Sequence, residues 1–95
     1  MELTAEAQAC DRLMRLFRQQ QLTPATQYNY CKVVLKVWKK SVGRPMSDLC
    51  TFMDAKGRCW VEMYQSDIDE YVMNMNARHE TKLMYIDAVN RVKQK

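Results

Sequence analysis

Residues 22–44 read LTPATQYNYCKVVLKVWKKSVGR, and their periodicity decides what kind of molecule this is. Thr23 is a helix N-cap type, and Pro24 suits the first helical position, where its missing N–H costs nothing. Advancing about 100° per residue from Tyr28 gathers Lys32, Lys36, Lys39 and Lys40 within an arc of about 100°. Tyr30, Cys31, Val34, Leu35, Val37, Trp38 and Val42 fill the opposite side. Gly43 is a natural helix stop, and Pro45 confirms the break. One face is made for a core and the other for negative charge.

The flanking sequence extends this pattern. A first helix is predicted over residues 4–20 with Thr4 as cap; Ala9, Cys10, Leu13, Met14, Leu16 and Phe17 share its apolar side, and Arg12, Arg15 and Arg18 the other. A third helix begins near Ser66, which caps it, with Asp67, Asp69 and Glu70 placed well against the helix dipole and Ile68, Tyr71, Val72 and Met75 inward. A fourth runs from Glu80 or Thr81 to Val92, with Tyr85, Ile86, Ala88, Val89 and Val92 on one broad side. Residues 46–65 admit two readings. Ser47 could cap a short helix with Leu49, Phe52 and Met53 inward. Alternatively, residues 50–63 form a small β-hairpin turning at Asp54-Ala55-Lys56-Gly57, and Cys59-Trp60-Val61 tips the balance to the hairpin. The expected fold is mainly α: one domain over residues 1–95, a bundle of two helical hairpins.

Composition bounds the function. The chain has 95 residues, two glycines and two prolines, and 47% of its residues are hydrophobic, which suits one small core rather than disorder. No apolar run approaches the ~18 residues of a membrane span. The acidic N-terminus lacks the apolar centre of a signal peptide, so a cytoplasmic protein is expected, without a membrane partner. Cys10, Cys31, Cys50 and Cys59 form no CxxC pair and His79 is the sole histidine, so neither a metal nor another cofactor is expected. His79 reads as a solvated turn residue, and Trp38 as core. No nucleophile elbow or P-loop is present, and no catalytic residue is assigned. The net charge of +4 is uneven: +5 over residues 1–46, −4 over 47–70 and +3 over 71–95. Such asymmetry can align a protein on a phosphate backbone with its acidic part held away.

The order of motifs resembles the core-binding domain on the N-terminal side of tyrosine recombinases, the phage-integrase family. That domain is a SAM-like four-helix bundle. Its "LSPxT…Y" opening of a second, Trp- or Phe-bearing helix is met by Leu22, Thr23, Pro24, Thr26, Tyr30 and Trp38. Its "DI..Y" helix is met by Asp67, Ile68 and Tyr71, and the "T…Y" opening of its fourth helix by Thr81 and Tyr85, followed by Ile86 and Val92. The 46–65 stretch is longer than the family's usual connection. The family's catalytic domain, with its Arg, His-x-x-Arg and nucleophilic Tyr, has no counterpart in these 95 residues. The resemblance therefore implies an isolated domain or a free-standing relative that binds without cutting, in a bacterial cell or a virus-infected host.

In such domains the second and fourth helices face DNA. Carried over, Asn29, Lys32, Lys36, Lys39 and Lys40 would meet duplex DNA from helix 2, and Lys82 and Tyr85 from helix 4, with Arg44 and Arg78 flanking them. Asn29 could reach a base edge or a phosphate, and the lysines would supply salt-dependent, largely sequence-independent affinity. A homo-oligomer or a catalytic partner domain completes the expected set of partners. An alternative reading makes the chain a small phage or plasmid regulator that binds a host protein through its acidic, Met-rich residues 46–75. That reading predicts an exposed apolar patch there.

Overall fold

The structure, a computed structural model, describes residues 4–54 and 60–93. They are helical, with no strand among them: α1 (Ala5–Gln19), α2 (Pro24–Val37) continuing through a π turn (Trp38–Val42), α3 (Met46–Asp54), α4 (Trp60–Met63), α5 (Gln65–Asn74) and α6 (His79–Lys93). The expected mainly-α small bundle is thus the fold.

Two threonines start the N-terminal pair. Thr4 Oγ1 accepts from the Ala7 N–H at 3.1 Å, and Thr23 Oγ1 accepts from the Thr26 N–H at 3.3 Å with Pro24 opening α2. Ala9, Leu13, Leu16 and Phe17 of α1 are buried against the Cys31, Val34, Leu35 and Trp38 side of α2 and against Leu49 and Cys50 of α3. Val33 and Gln27 are buried as well, which widens the inward face of α2 beyond the expected stripe. Gln27 satisfies its amide by donating to the Leu22 carbonyl at 2.7 Å. This broad face lets α2 take α1 on one flank and α6 on the other, so the two helical hairpins share one core.

The π turn ends with the Gly43 N–H donating to the Trp38 carbonyl at 3.0 Å, five residues back. Gly43 has φ +70°, the left-handed region, and a Cβ there would meet nothing within 4 Å. Gly43→Ala is therefore expected to cost about 1 kcal/mol through backbone strain alone, read as a fall in thermal midpoint of roughly 4–8 °C. Gly43→Asn should cost less, because asparagine visits this region more readily. An alanine variant melting with the parent would contradict the assignment.

The β-hairpin expected over residues 50–63 is not formed. Residues 50–54 belong to α3 and 60–63 to α4; the turn residues 55–57 and Cys59 lie outside the described residues. The reason is visible in burial. Leu49 and Cys50 are buried neighbours, and so are Trp60 and Val61. Successive strand residues point to opposite faces, so adjacent pairs sharing one core belong to a helical turn. Ser47 is not a cap but lies inside α3, where its carbonyl accepts from the Thr51 hydroxyl at 3.0 Å. Ser66 likewise lies one residue inside α5: α4 runs into α5 through Tyr64, whose N–H still bonds to the Trp60 carbonyl while its own carbonyl accepts from Ile68. No room is left for a separate capping residue. His79 is the first residue of α6 rather than part of a turn, and Ile86, expected inward, is exposed.

A polar clamp ties α1, α2 and α6. The Tyr30 hydroxyl donates to Asp87, Arg91 Nε donates to the same carboxylate at 3.2 Å, and Gln20 Nε2 donates to the Arg91 carbonyl at 2.8 Å. The bond from Tyr30, then the Arg91 guanidinium, holds the Asp87 carboxyl below its ordinary range. A depressed folded value means that this stabilisation is complete above the unfolded pKa of about 4 and is lost as pH falls through the folded value. Urea midpoints should therefore decline below about pH 4, and Asp87→Asn should flatten that acid limb. An acid limb identical in parent and variant would remove Asp87 from the account.

Candidate nucleic-acid interface

The outward side of α2 is set by what its inward side must bury. With Val33, Val34, Val37 and Trp38 committed to the core, Asn29, Lys32 and Lys36 project from the ridge between α1 and α6, and all three are exposed. Lys39 and Lys40 continue it on the π turn, also exposed. Lys32 Nζ lies 4.7 Å from the centroid of the exposed Tyr28 ring, a cation–π contact that holds the ammonium along the ridge. Lys36 has no carboxylate partner among the described residues.

The end of the ridge is less positive than the sequence suggests. Residues 24–44 contain no acidic residue, yet α1 brings Glu6 to Lys39 at 3.0 Å. Arg44 sits 3.7 Å from Asp48 of α3. Lys40 lines a cleft of about 310 Å³ between the π turn and α5, together with Ser41, Asp67, Glu70, Tyr71 and Asn74. Pairs this exposed stabilise little, but they cancel charge where a phosphate would approach. Glu6 lies 33 residues from Lys39, so no sequence pattern could have announced the pairing.

The expected contribution of the fourth helix is corrected. Tyr85 is buried, because it shares the inward stripe with Ala88, Val89 and Val92 at helical spacing, and it cannot meet DNA. Lys82 Nζ donates to the Met73 carbonyl at 3.0 Å, which caps the end of α5. It lies roughly 140° around α6 from Asp87, the residue facing α2, so it points away from the α2 ridge. Arg78 is exposed just before α6. The structure thus brings together Asn29, Lys32, Lys36, Lys39 and Lys40, whereas Tyr85 is buried and Lys82 is turned toward the end of α5.

Burial pushes the Cys31 thiol far above its ordinary range, and its Sγ donates to the Cys10 carbonyl at 3.7 Å, the behaviour of a small core residue. Cys50 is buried as well, with its Sγ donating to the Ala5 carbonyl at 3.6 Å. No group of three or more His, Cys, Asp or Glu side chains is placed to hold a metal ion, and no helix is long and apolar enough to cross a membrane, both among the described residues. Compared with family models, curated proteins and solved structures, the chain matches none.

Proposed function

We propose that this chain is a non-catalytic DNA-binding module whose α2 ridge lies along the phosphate backbone of a duplex, in the manner of the core-binding domains it resembles. The observation that carries the reading is the exposed run Asn29–Lys32–Lys36 on a helix that holds no acidic residue, with Lys32 steadied by Tyr28. Lys32 and Lys36 would neutralise phosphates, and Asn29, one turn before Lys32, would reach a phosphate or a base edge. Lys39 would join only by leaving Glu6. The role expected of α6 contracts to Arg78 at its start, so the grip is one-sided, and a catalytic domain, or a second copy of this chain, would complete a clamp. The setting is the cytoplasm of a bacterial or virus-infected cell, where such modules of mobile elements act.

Fluorescence anisotropy with a labelled random-sequence duplex across a salt series tests the reading. Affinity is expected to fall steeply with salt, and Lys32→Ala/Lys36→Ala should lower it about ten-fold at low salt. A double variant that binds as tightly as the parent at every salt would sink the assignment of the ridge.

A further inference from the structure

The cleft between the π turn and α5, about 310 Å³ in volume, is lined by Lys40, Ser41, Asp67, Glu70, Tyr71 and Asn74. Its size stands at the small end of the ~300–1,000 Å³ usual for small-molecule sites, and its lining is charged rather than apolar. α5 presents Asp67, Glu70, Tyr71 and Asn74 to the cleft because they stand at i, i+3, i+4 and i+7, one helical stripe, while Ile68 and Val72 go to the core. The facing wall is the π turn, closed by the bond from the Gly43 N–H to the Trp38 carbonyl, and it carries Lys40 and Ser41. Single π turns inside helices are frequent at functional sites.

The fold leaves the charges of this cleft unused. Among the described residues, the carboxylates of Glu6, Asp11, Asp48, Asp54, Glu62 and Asp87 each pair with a lysine or arginine, and Asp69 accepts from Gln65 at 2.8 Å. Asp67, Glu70 and Glu80 have no such partner, and the first two of these line the cleft. Lys40, on the facing wall, pairs with neither. Ser41 beside it keeps its hydroxyl oxygen buried without a hydrogen-bond partner, whereas buried polar atoms are normally satisfied. We infer that the cleft binds a free dibasic amino acid, of the lysine, ornithine and arginine class, with its carboxylate on Lys40 and the Ser41 hydroxyl and its two cationic groups on Asp67 and Glu70. Charge complementarity selects this class. Two carboxylates and one ammonium are matched by two positive groups and one negative. A diamine would set a cation against Lys40, and a neutral amino acid would leave one carboxylate without a partner. An acidic amino acid would bring like charge to Asp67 and Glu70. Tyr71 and Asn74 add neutral hydrogen-bonding groups. The inference does not rest on DNA binding, because Lys32 and Lys36 lie outside the cleft.

The experiment is an amide-resolved NMR titration of the full chain with L-lysine at fixed low ionic strength. Cadaverine (no carboxylate), L-norleucine (no side-chain ammonium) and L-glutamate are titrated beside it. Lysine is expected to shift amides of the π turn and of residues 67–74. It should bind about ten-fold more tightly than cadaverine or norleucine, each of which lacks one charged contact. Glutamate should not bind. Glu70→Gln should weaken lysine about ten-fold. Lys40→Met should weaken lysine yet strengthen cadaverine, whereas a general attraction of cations to carboxylates would strengthen both. Both substituted side chains are exposed, so an unchanged circular dichroism spectrum is expected, and the comparison of ligands on the parent needs no variant. Cadaverine binding as tightly as lysine, tighter lysine binding in Lys40→Met, shifts confined to other surfaces, or no shifts at tens of millimolar lysine would each overturn the proposal.

Discussion

Trp38→Ala is expected to remove about 3–5 kcal/mol of folding stability, against the ~5–15 kcal/mol that a domain of this kind possesses. Trp38 is fully buried where the end of α2 meets α3 and α4. Its ring stands edge-on to Trp60 at 5.2 Å between centroids and to Phe52 at 6.1 Å. Its Nε1 donates to the Arg44 carbonyl at 2.8 Å, which fastens the chain just after the Gly43 turn. Truncation empties one of the two largest side-chain volumes in the core, deprives Trp60 of its aromatic neighbour and leaves the Arg44 carbonyl without its donor. Trp38→Phe keeps part of the ring contact and should recover at least a third of the loss. Urea unfolding followed by far-ultraviolet circular dichroism reads both. An alanine variant within about 1 kcal/mol of the parent would mean that the site collapses around the gap, and that Trp38 does not organise the junction.

Reversing charge on the ridge should have the second large effect. Lys32→Glu/Lys36→Glu removes two phosphate contacts and sets two carboxylates against the backbone of DNA. Affinity for a random duplex is expected to fall by about a hundred-fold at low salt, and the slope of log K against log salt to flatten by roughly 1.8, at ~0.9 for each phosphate no longer neutralised. The same reversal at Lys39 should do less, because Glu6 already offsets that charge at 3.0 Å. Both substituted side chains are exposed, so the fold should stand, and an unchanged circular dichroism spectrum checks this. If reversal at Lys39 weakens binding as much as the double reversal, the contact surface is centred on the π turn rather than on α2.

Helix 2 was legible because every local signal agrees: cap, opening proline, a 3.6-residue apolar period and a closing glycine. Helix 1 was legible from its cap and its 3.6-residue apolar period, and its predicted cap Thr4 is the observed one. The 46–65 region misled because its signals are short and conflict. Trp60-Val61 has the propensity of a strand, yet both side chains reach the same core, and propensity yields to packing in so short a segment. Ser66 looked like a cap because serine before acidic residues usually is one. It failed because α4 delivers the chain to α5 already helical.

The candidate site divides in the same way. The sequence by itself determined that the chain is helical, that α2 has an apolar and a basic side, and which lysines that side holds, since these follow from backbone geometry and residue type over one helix. Only the tertiary structure decided how much of that charge is left to act. It placed Glu6 against Lys39 and Asp48 beside Arg44, buried Tyr85, turned Lys82 toward the end of α5, and left Met63, Met73, Leu83 and Ile86 exposed. The physical reason is distance along the chain. A helix's own faces are set by neighbours three and four residues apart, whereas ion pairs and exposed patches depend on which helices pack together, and that choice is made by the burial of the whole core.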